Sequence, residues 1–276
     1  MIKFFDAARS GAPAIPGFDD DHVTRTFIAC TLFMAALFVT TLPAFFLDAR
    51  TIDGVNVWLK PLKFNVSLAV HFLTLAILAK QLPRQVRAGP SLSIFAVLAT
   101  GALVLEQIYM MIQSARGRRS HFNFETDIES VMYELMGLGA LLLVAVAIVL
   151  GIQIMRKGDR SMPGLRLGSI LGLVLGSLVT IGFAGYMSRS GSHWVGVPSA
   201  EDISIPFFGW SREVGDLRPA HFVALHMMQT LPLAGYLADK FTNQGKLLVI
   251  AVCILQLALA AALFFQALGG DPFWPL

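Results

Sequence analysis

Seven apolar runs, each close to the roughly 20 residues that cross a bilayer as a helix, occupy almost the whole chain. They lie at about 24–47, 58–82, 91–113, 126–155, 165–187, 216–238 and 246–268. The 276 residues are 55% hydrophobic and only 14% charged, whereas a soluble domain carries about 25% charged residues. The sequence therefore predicts an all-α integral membrane protein, a bundle of seven transmembrane helices with short loops.

The remaining segments are short and predict no separate soluble domain. Residues 1–23 form a polar N-terminal segment, residues 24–268 the transmembrane domain, and residues 269–276 a short tail. The N-terminal segment lacks the basic start and short apolar core of a signal peptide. The longest connection, 188–215, carries several aromatic residues and predicts either a lid over the end of the bundle or a passive interfacial loop.

The distribution of basic residues predicts the orientation. Seven spans place 12 Lys and Arg on the side of the N-terminus and 9 on the other side. The positive-inside rule then places the N-terminus inside and the C-terminus outside, as in a protein of the bacterial cytoplasmic (inner) membrane. Five of the six histidines lie at or near the predicted outer side. They are His71, His121, His193, His221 and His226.

Polar stripes on three of the runs predict a cavity near that side. Lys63, Ser67 and His71 follow one another at four-residue spacing in the second run, so they share a helix face. Glu106 in the third run and Glu134 in the fourth approach the same end. Ionisable groups at membrane depth are costly and mark functional sites. Ser67 and the two carboxylates are candidate catalytic groups, and the carboxylates alternatively share a proton, bind a metal or pair with Lys or Arg.

The sixth run adds four polar side chains in one sector. His221 and His226 are five residues apart, and the resulting angle of about 140° fits one metal ion poorly. Arg218 and Gln229 lie between them, so the stripe is expected to face the bundle interior. A π-bulge would bring the two histidines closer. Arg116, in the loop that follows the third run, is placed to bind an anion or a lipid headgroup.

One hypothesis is that the cavity holds a cofactor, either haem b or a metal ion such as zinc. His71 would ligate it together with His221 or His226, because haem takes histidine ligands from different helices. Lys63, Arg218 and Arg116 would neutralise the haem propionates, and Gln229 would line the same pocket. A quinone would then be the redox partner, and the protein would be a membrane oxidoreductase.

A second hypothesis requires no cofactor. The same basic and histidine side chains would bind an anionic or amphipathic small molecule or a lipid, in a transporter, a receptor or a chaperone-like factor. A net charge of +3, without a basic helix that carries interleaved aromatics, predicts no nucleic-acid partner. No HExxH motif, phosphate-binding glycine loop or dinucleotide fingerprint is present, which disfavours those enzyme classes.

A third hypothesis comes from a resemblance. Ser67-x-x-x-His71 resembles the SxxxH element of the seven-helix zinc hydrolases, the alkaline ceramidase and adiponectin-receptor superfamily. The resemblance covers this one short element and implies a zinc-dependent hydrolase in which Glu106 is the acidic residue of the third helix. That family completes its zinc site with HxxxH on the last helix, whereas this chain has His221 and His226 on the sixth run.

Two local patterns concern packing. Gly164, Gly168, Gly172 and Gly176 recur at four-residue spacing in the fifth run, which lets helix backbones approach closely. The stripe favours packing inside the bundle over an oligomer interface, the alternative use of such a surface. Asp216 is predicted to be the N-cap of the sixth run.

Overall fold

The computed structural model describes residues 21–52, 54–199 and 204–275, and most of them are helical. The helices are α1 (His22–Leu47), α2 (Leu59–Ala79), α3 (Arg84–Arg87), α4 (Pro90–Arg116), α5 (Asp127–Lys157), α6 (Pro163–Ile170), a π-helical turn (Leu171–Gly176), α7 (Ser177–Ser190), α8 (Arg218–Leu225), α9 (Met227–Phe241) and α10 (Gly245–Leu268). Two antiparallel strand pairs lie in the connections, β1 (Thr51–Ile52) with β2 (Val55–Asn56), and β3 (Trp194–Val195) with β4 (Gly215–Asp216). The predicted segment 1–23 falls almost entirely outside the described residues.

Within these residues, six helices are long and apolar enough to cross a membrane. They are α1, α2, α4, α5, the continuous helix Pro163–Ser190 that contains the π-helical turn, and α10. These six match the first five predicted runs and the seventh, with ends that differ by a few residues. The protein is therefore a mostly helical polytopic membrane protein.

The predicted sixth span is not one continuous helix, so the count of seven spans is not confirmed. α8 ends and α9 begins at His226, whose φ and ψ are −77° and −2°. The carbonyl oxygen of Val223 accepts a hydrogen bond from Gln256 Nε2 of α10 at 3.0 Å. Gln256 Oε1 in turn accepts one from Thr230 at 2.6 Å. The side chain of Gln256 from another helix therefore makes hydrogen bonds with both sides of the break. Hydropathy does not detect such long-range hydrogen bonds.

The start of α8 also differs from the prediction. Its N-cap is Leu217, not Asp216. Asp216 belongs to β4, where it pairs with Trp194 of β3 and leads directly into the helix. Its carboxylate still accepts from the backbone N–H of Arg218 at 3.0 Å, but it accepts from the backbone N–H of Ser211 at 3.0 Å as well. Asp216 thus joins the long loop to the helix instead of only capping it.

The glycine stripe packs inside the chain. A Cβ atom built on Gly168 would overlap the carbonyl oxygen of Leu231, and one on Gly172 would overlap that of Met227. Both contacts are with α9 and the residues at its start, so the absence of side chains lets the two backbones touch. An oligomer that used this stripe would first have to separate these helices.

The connections gather at two ends of the bundle. We call the end formed by 48–58, 117–126, 191–199 with 204–217, and 269–275 the histidine end. The opposite end holds 80–89, 158–162 and 242–244. Between them, Phe27 of α1 packs on Phe72 of α2 with ring centroids 6.0 Å apart, at the centre of an apolar core. The lipid-facing surfaces carry exposed apolar side chains such as Leu255 of α10.

Candidate functional site

Arg218 stands at the histidine end, held by one buried carboxylate. Its Nε donates to Asp216 Oδ1 at 2.9 Å, and its Nη2 donates to Asp216 Oδ2 and to the carbonyl oxygen of Gly209 at 2.6 Å. The Asp216 side chain is 0% exposed and that of Arg218 is 28% exposed. A two-pronged arginine–carboxylate pair of this kind is fixed in geometry. This pair holds the Arg218 guanidinium group at the histidine end of the bundle.

Two lysines from the first turn of α2 share this position. Lys63 Nζ donates to the carbonyl oxygen of Phe208 at 3.0 Å and is repelled by Arg218 and attracted by Asp216. Lys60 is repelled by both Lys63 and Arg218. We call Lys60, Lys63 and Arg218 the cation cluster. Among the described residues, Asp216 is the one carboxylate that interacts with this cluster, and Arg218 already engages both of its oxygens.

A strained loop covers the cation cluster. Residues 205–210, which we call the strap, contain Phe207 with φ of 66°, a left-handed conformation that a bulky side chain rarely adopts. The backbone N–H of Phe208 donates to the carbonyl oxygen of Pro206 at 2.8 Å, and that of Gly209 to Ile205 at 2.7 Å. This tight turn directs the carbonyl groups of Phe208 and Gly209 at Lys63 and Arg218. The strap therefore contacts the cation cluster through its backbone, and the lid role of the loop 188–215 stays a prediction.

His121 borders the same site from the loop between α4 and α5. Its ring lies 5.7 Å from that of Phe64 and 6.5 Å from that of Tyr133, measured between centroids. Burial, and then the positive charge of Lys60, hold the pKa of His121 well below its usual value. The imidazole is therefore neutral near pH 7 and adds a hydrogen-bonding group, not a further charge, to the site.

Aromatic rings continue the site away from the cations. Trp210 lies 4.4 Å from Phe208, 5.7 Å from Phe222 and 5.2 Å from Phe273, measured between ring centroids. Phe222 in turn lies 4.2 Å from His226. The rings form one apolar surface that runs from the C-terminal tail, across the strap, to the break between α8 and α9. Charged and apolar surfaces thus adjoin each other at the histidine end.

His226 and Gln229 of the predicted set meet at the helix break. The His226 ring is next to the Gln229 side chain, and Gln229 Nε2 donates to Thr74 Oγ1 of α2 at 3.2 Å. His221 interacts electrostatically with His226. The helix breaks at His226 instead of forming a π-bulge there, and the shared inward sector of the two histidines stays a prediction. The π-helical turn lies instead in the preceding span.

His71 and Glu106 lie deeper and away from the cation cluster. His71 is 8% exposed and contacts the backbone of Leu143, whereas Glu106 is 4% exposed and lies against Gly139 of α5. His71 Nε2 and Glu106 Oε1 have no hydrogen-bond partner within the described residues. These two residues form a separate interior site at the boundary of α2, α4 and α5.

Three predicted site residues point elsewhere. Ser67 of α2 and Glu134 of α5 are exposed on the outer surface of the bundle. Arg116 is also exposed, and its Nη1 donates to Gln113 Oε1 at 2.9 Å at the end of α4. Their exposure gives no support to the predicted convergence of the stripes of Ser67 and Glu134 in one cavity, and the role predicted for Arg116, binding an anionic group, stays a prediction. Ser67 is exposed and His71 is buried although only about 40° separates them around α2, because the edge of the packed side of the helix falls between them.

No metal centre forms among residues 21–52, 54–199 and 204–275. No group of three or more His, Cys, Asp or Glu side chains in these ranges is arranged to hold a metal ion. His71 contacts α5, whereas His221 and His226, on the two sides of the helix break, interact electrostatically with each other. The predicted ligand set of His71, His221 and His226 is therefore not assembled in the described residues.

The sequence analysis missed several members of these sites. Asp216 was assigned to a helix cap although it is the counter-ion of Arg218, and the spacing of an acid two residues before an arginine was the available signal. Gly139 was not predicted, and neither were Asn65 and Gln107, whose buried amides have no hydrogen-bond partner in the part of the chain that the structure describes. A search for polar residues within apolar runs finds the last two.

Comparison with protein-family models, characterised proteins and solved structures gives no match to this chain.

Proposed function

We propose that this membrane protein binds an anionic, amphipathic small molecule or lipid at the histidine end. The observation that carries the proposal is the cation cluster, in which Lys60, Lys63 and Arg218 repel one another and Asp216 is the one carboxylate among the described residues that interacts with it. Like charges repel, and burial strengthens the repulsion. A bound anion would offset this repulsion, because it would add negative charge beyond that of Asp216.

The strap supports the same function. Lys63 and Arg218 donate hydrogen bonds to the neutral carbonyl groups of Phe208 and Gly209. Hydrogen bonds to a fully charged acceptor are stronger than those to a carbonyl. An anion is therefore expected to displace the strap from the cations. The neighbouring rings of Trp210, Phe222 and Phe273 offer an apolar surface for the remainder of an amphipathic ligand.

The cofactor hypotheses receive less support from the geometry. Haem b or zinc would need ligands assembled around one centre, whereas His71 is separated from the pair His221 and His226 by different packing partners. A membrane oxidoreductase with a quinone and a zinc-dependent hydrolase both depend on such a centre. Anion binding depends only on the cation cluster.

The membrane assignment extends this proposal. We place the chain in the bacterial cytoplasmic membrane with the N-terminus inside, on the strength of the 12 to 9 distribution of basic residues. The histidine end then faces the outside, and the ligand reaches the site from there or from the outer leaflet.

Binding to the protein in nanodiscs of zwitterionic lipid tests the proposal. The probes are a fluorescent alkyl phosphate, an alkyl carboxylate and an alkyl phosphocholine of equal chain length. We expect the two anions to bind and the zwitterionic phosphocholine to bind at least about tenfold more weakly. Lys60→Gln and Lys63→Gln should each weaken anion binding about tenfold, equal to about 1.4 kcal/mol, because each removes one charged contact.

Lys240→Gln is the matched control, since Lys240 is an exposed lysine at the far end of α9. It should bind the anions as the wild type does. Added salt should weaken binding to the wild type more than to the Lys63→Gln variant. Equal affinity of all three lysine variants, or equal affinity for the phosphocholine, would refute the proposal.

A further inference from the structure

A buried carboxyl group lies in the interior of the bundle, far from the cation cluster. Glu106 of α4 is ten residues before the end of the helix at Arg116, which places it about 15 Å below the histidine end. It is 4% exposed. A Cβ atom built on Gly139 of α5 would overlap Glu106 Oε1, so the space for the carboxyl group exists because residue 139 has no side chain.

An imidazole lies one helical turn away. His71 of α2 is 8% exposed and contacts the backbone of Leu143, which follows Gly139 by four residues on the same buried face of α5. Glu106 and His71 therefore lie against adjacent turns of one helix face. Glu106 Oε1 and His71 Nε2 both lack a hydrogen-bond partner in the described part of the chain.

The elements around Glu106 supply no cation. Its neighbours α1, α2 and α5 present, among described residues, only His71 as an ionisable group at this depth besides Cys30, which contacts Thr100. The charged groups of these helices lie near their ends. Arg87 pairs with Asp21 at the start of α1, Arg118 pairs with Glu129 at the start of α5, and Lys60 and Lys63 begin α2.

An ionised carboxylate without a cation or hydrogen-bond donors is costly in such an interior, whereas the protonated group is tolerated. Two further buried amides, Asn65 of α2 and Gln107 of α4, also have no partners for their side-chain atoms in the described residues. A buried polar group without a partner is destabilising, and a water molecule that bonds to it removes this cost. The interior thus combines a protonatable group with polar side chains that can bind water beside it.

We propose that Glu106 is a proton-binding site in the interior of the membrane domain, with His71 as a relay that takes the proton from water at Nε2 and passes it through an intervening water molecule to the carboxylate, since the two side chains are not hydrogen-bonded to each other. In the loaded state the proton is on the Glu106 carboxyl group and both residues are neutral. In the unloaded state the proton returns through His71 Nε2 to water. The site is independent of the anion site proposed above, because it contains none of the cation cluster.

Infrared difference spectroscopy of the full-length protein in nanodiscs, recorded while pH is stepped, tests this site. A protonated carboxyl group gives a carbonyl stretching band that shifts when H₂O is exchanged for D₂O. We expect the wild type to show this band and Glu106→Gln to lose it. Glu134→Gln is the matched control, since Glu134 is an exposed carboxylate of α5, and it should keep the band.

A second variant covers the case in which Glu106→Gln does not fold. Glu106→Asp keeps a carboxyl group on a shorter side chain, so the band should persist at a shifted frequency. His71→Asn should keep the band but slow its appearance after a pH jump, an effect that a purely structural role would not produce. A band that is unchanged in Glu106→Gln, or at an unshifted frequency in Glu106→Asp, would overturn the proposal. Loss of the band in Glu106→Gln together with unaltered anion binding would confirm that the two sites are separate.

Discussion

At the scale of single residues, the two sites depend on groups that are unremarkable by themselves. Asp216 holds Arg218 because the pairing of β3 with β4 brings the long loop back to the start of α8. Gly139 creates the space for Glu106 because it contributes no side chain. Residue type alone predicts neither role, since both depend on a contact with a segment distant in sequence.

The Gly139 contact gives a direct prediction. Gly139→Ala should lower the free energy of unfolding by about 1 kcal/mol, at the low end for overpacking, because the new methyl group overlaps Glu106 Oε1, the end of a flexible side chain that moves at modest cost. Gly137→Ala is the matched control in the same helix. A Cβ atom there meets nothing within 4 Å, and alanine favours a helix over glycine by about 1 kcal/mol.

Thermal unfolding of both variants in one lipid preparation measures the difference. Gly139→Ala should melt below the wild type and Gly137→Ala at or above it. Equal melting temperatures for the two variants would show that the Glu106 carboxyl group does not occupy the space beside Gly139.

At the scale of helices and loops, hydropathy predicts the position of a span well and its continuity poorly. The six long helices agree with apolar runs because each must shield its own backbone from lipid, which requires about 20 apolar residues. The break at His226 leaves the apolar composition unchanged. It depends on Gln256 of α10, more than 20 residues further along the chain, and such a long-range hydrogen bond has no local signal.

The polar stripes also depend partly on local sequence and partly on long-range packing. Arg218, His221, His226 and Gln229 of α8, α9 and the break between them are partly buried, whereas Ser67 and Glu134 are exposed. Periodicity shows which residues share a helix face. The direction of that face depends on how neighbouring helices pack, and the close contact of the glycine stripe with α9 sets this packing for the second half of the chain.

We predict that Gln256 stabilises the break between α8 and α9. Gln256→Leu removes the donor to the Val223 carbonyl oxygen and the acceptor for Thr230, so about 1–3 kcal/mol of stability should be lost at the break. Hydrogen exchange measured by mass spectrometry should then be faster for the backbone amides of 223–230. Gln153→Leu is the control, because Gln153 bonds to Ser91 near the opposite end of the bundle. Unchanged exchange in 223–230 would mean that Gln256 does not stabilise the break.

At the scale of the whole molecule, the two sites occupy different environments along one axis. The cation cluster lies where α2 and α8 begin, beneath the strap, and the Glu106 site lies about 15 Å further into the bundle. Seven apolar runs were enough to predict a helical membrane bundle. The sites themselves required the fold, because each combines residues that are far apart in sequence, 33 positions for Glu106 and Gly139 and 155 positions for Lys63 and Arg218.

The last prediction concerns which end of the bundle faces the outside of the cell. If the N-terminus is inside, the histidine end faces outward, so an impermeant maleimide should reach a cysteine at that end in intact cells. Val197 is 91% exposed in the long loop and Asn243 is exposed between α9 and α10. Both are suited to single-cysteine substitution in a background in which Cys30 and Cys253, which are free and buried, are replaced by alanine.

Val197→Cys should react in intact cells, and Asn243→Cys should react only after the membrane is permeabilised. The physical reason is the excess of Lys and Arg at the opposite end, which resists transfer across the membrane. Labelling of Asn243→Cys alone in intact cells would reverse the orientation and place the anion site in the cytoplasm. Anion binding measured in nanodiscs, where both faces are open, would be the same in either orientation, so this experiment tests the topology separately from the binding function.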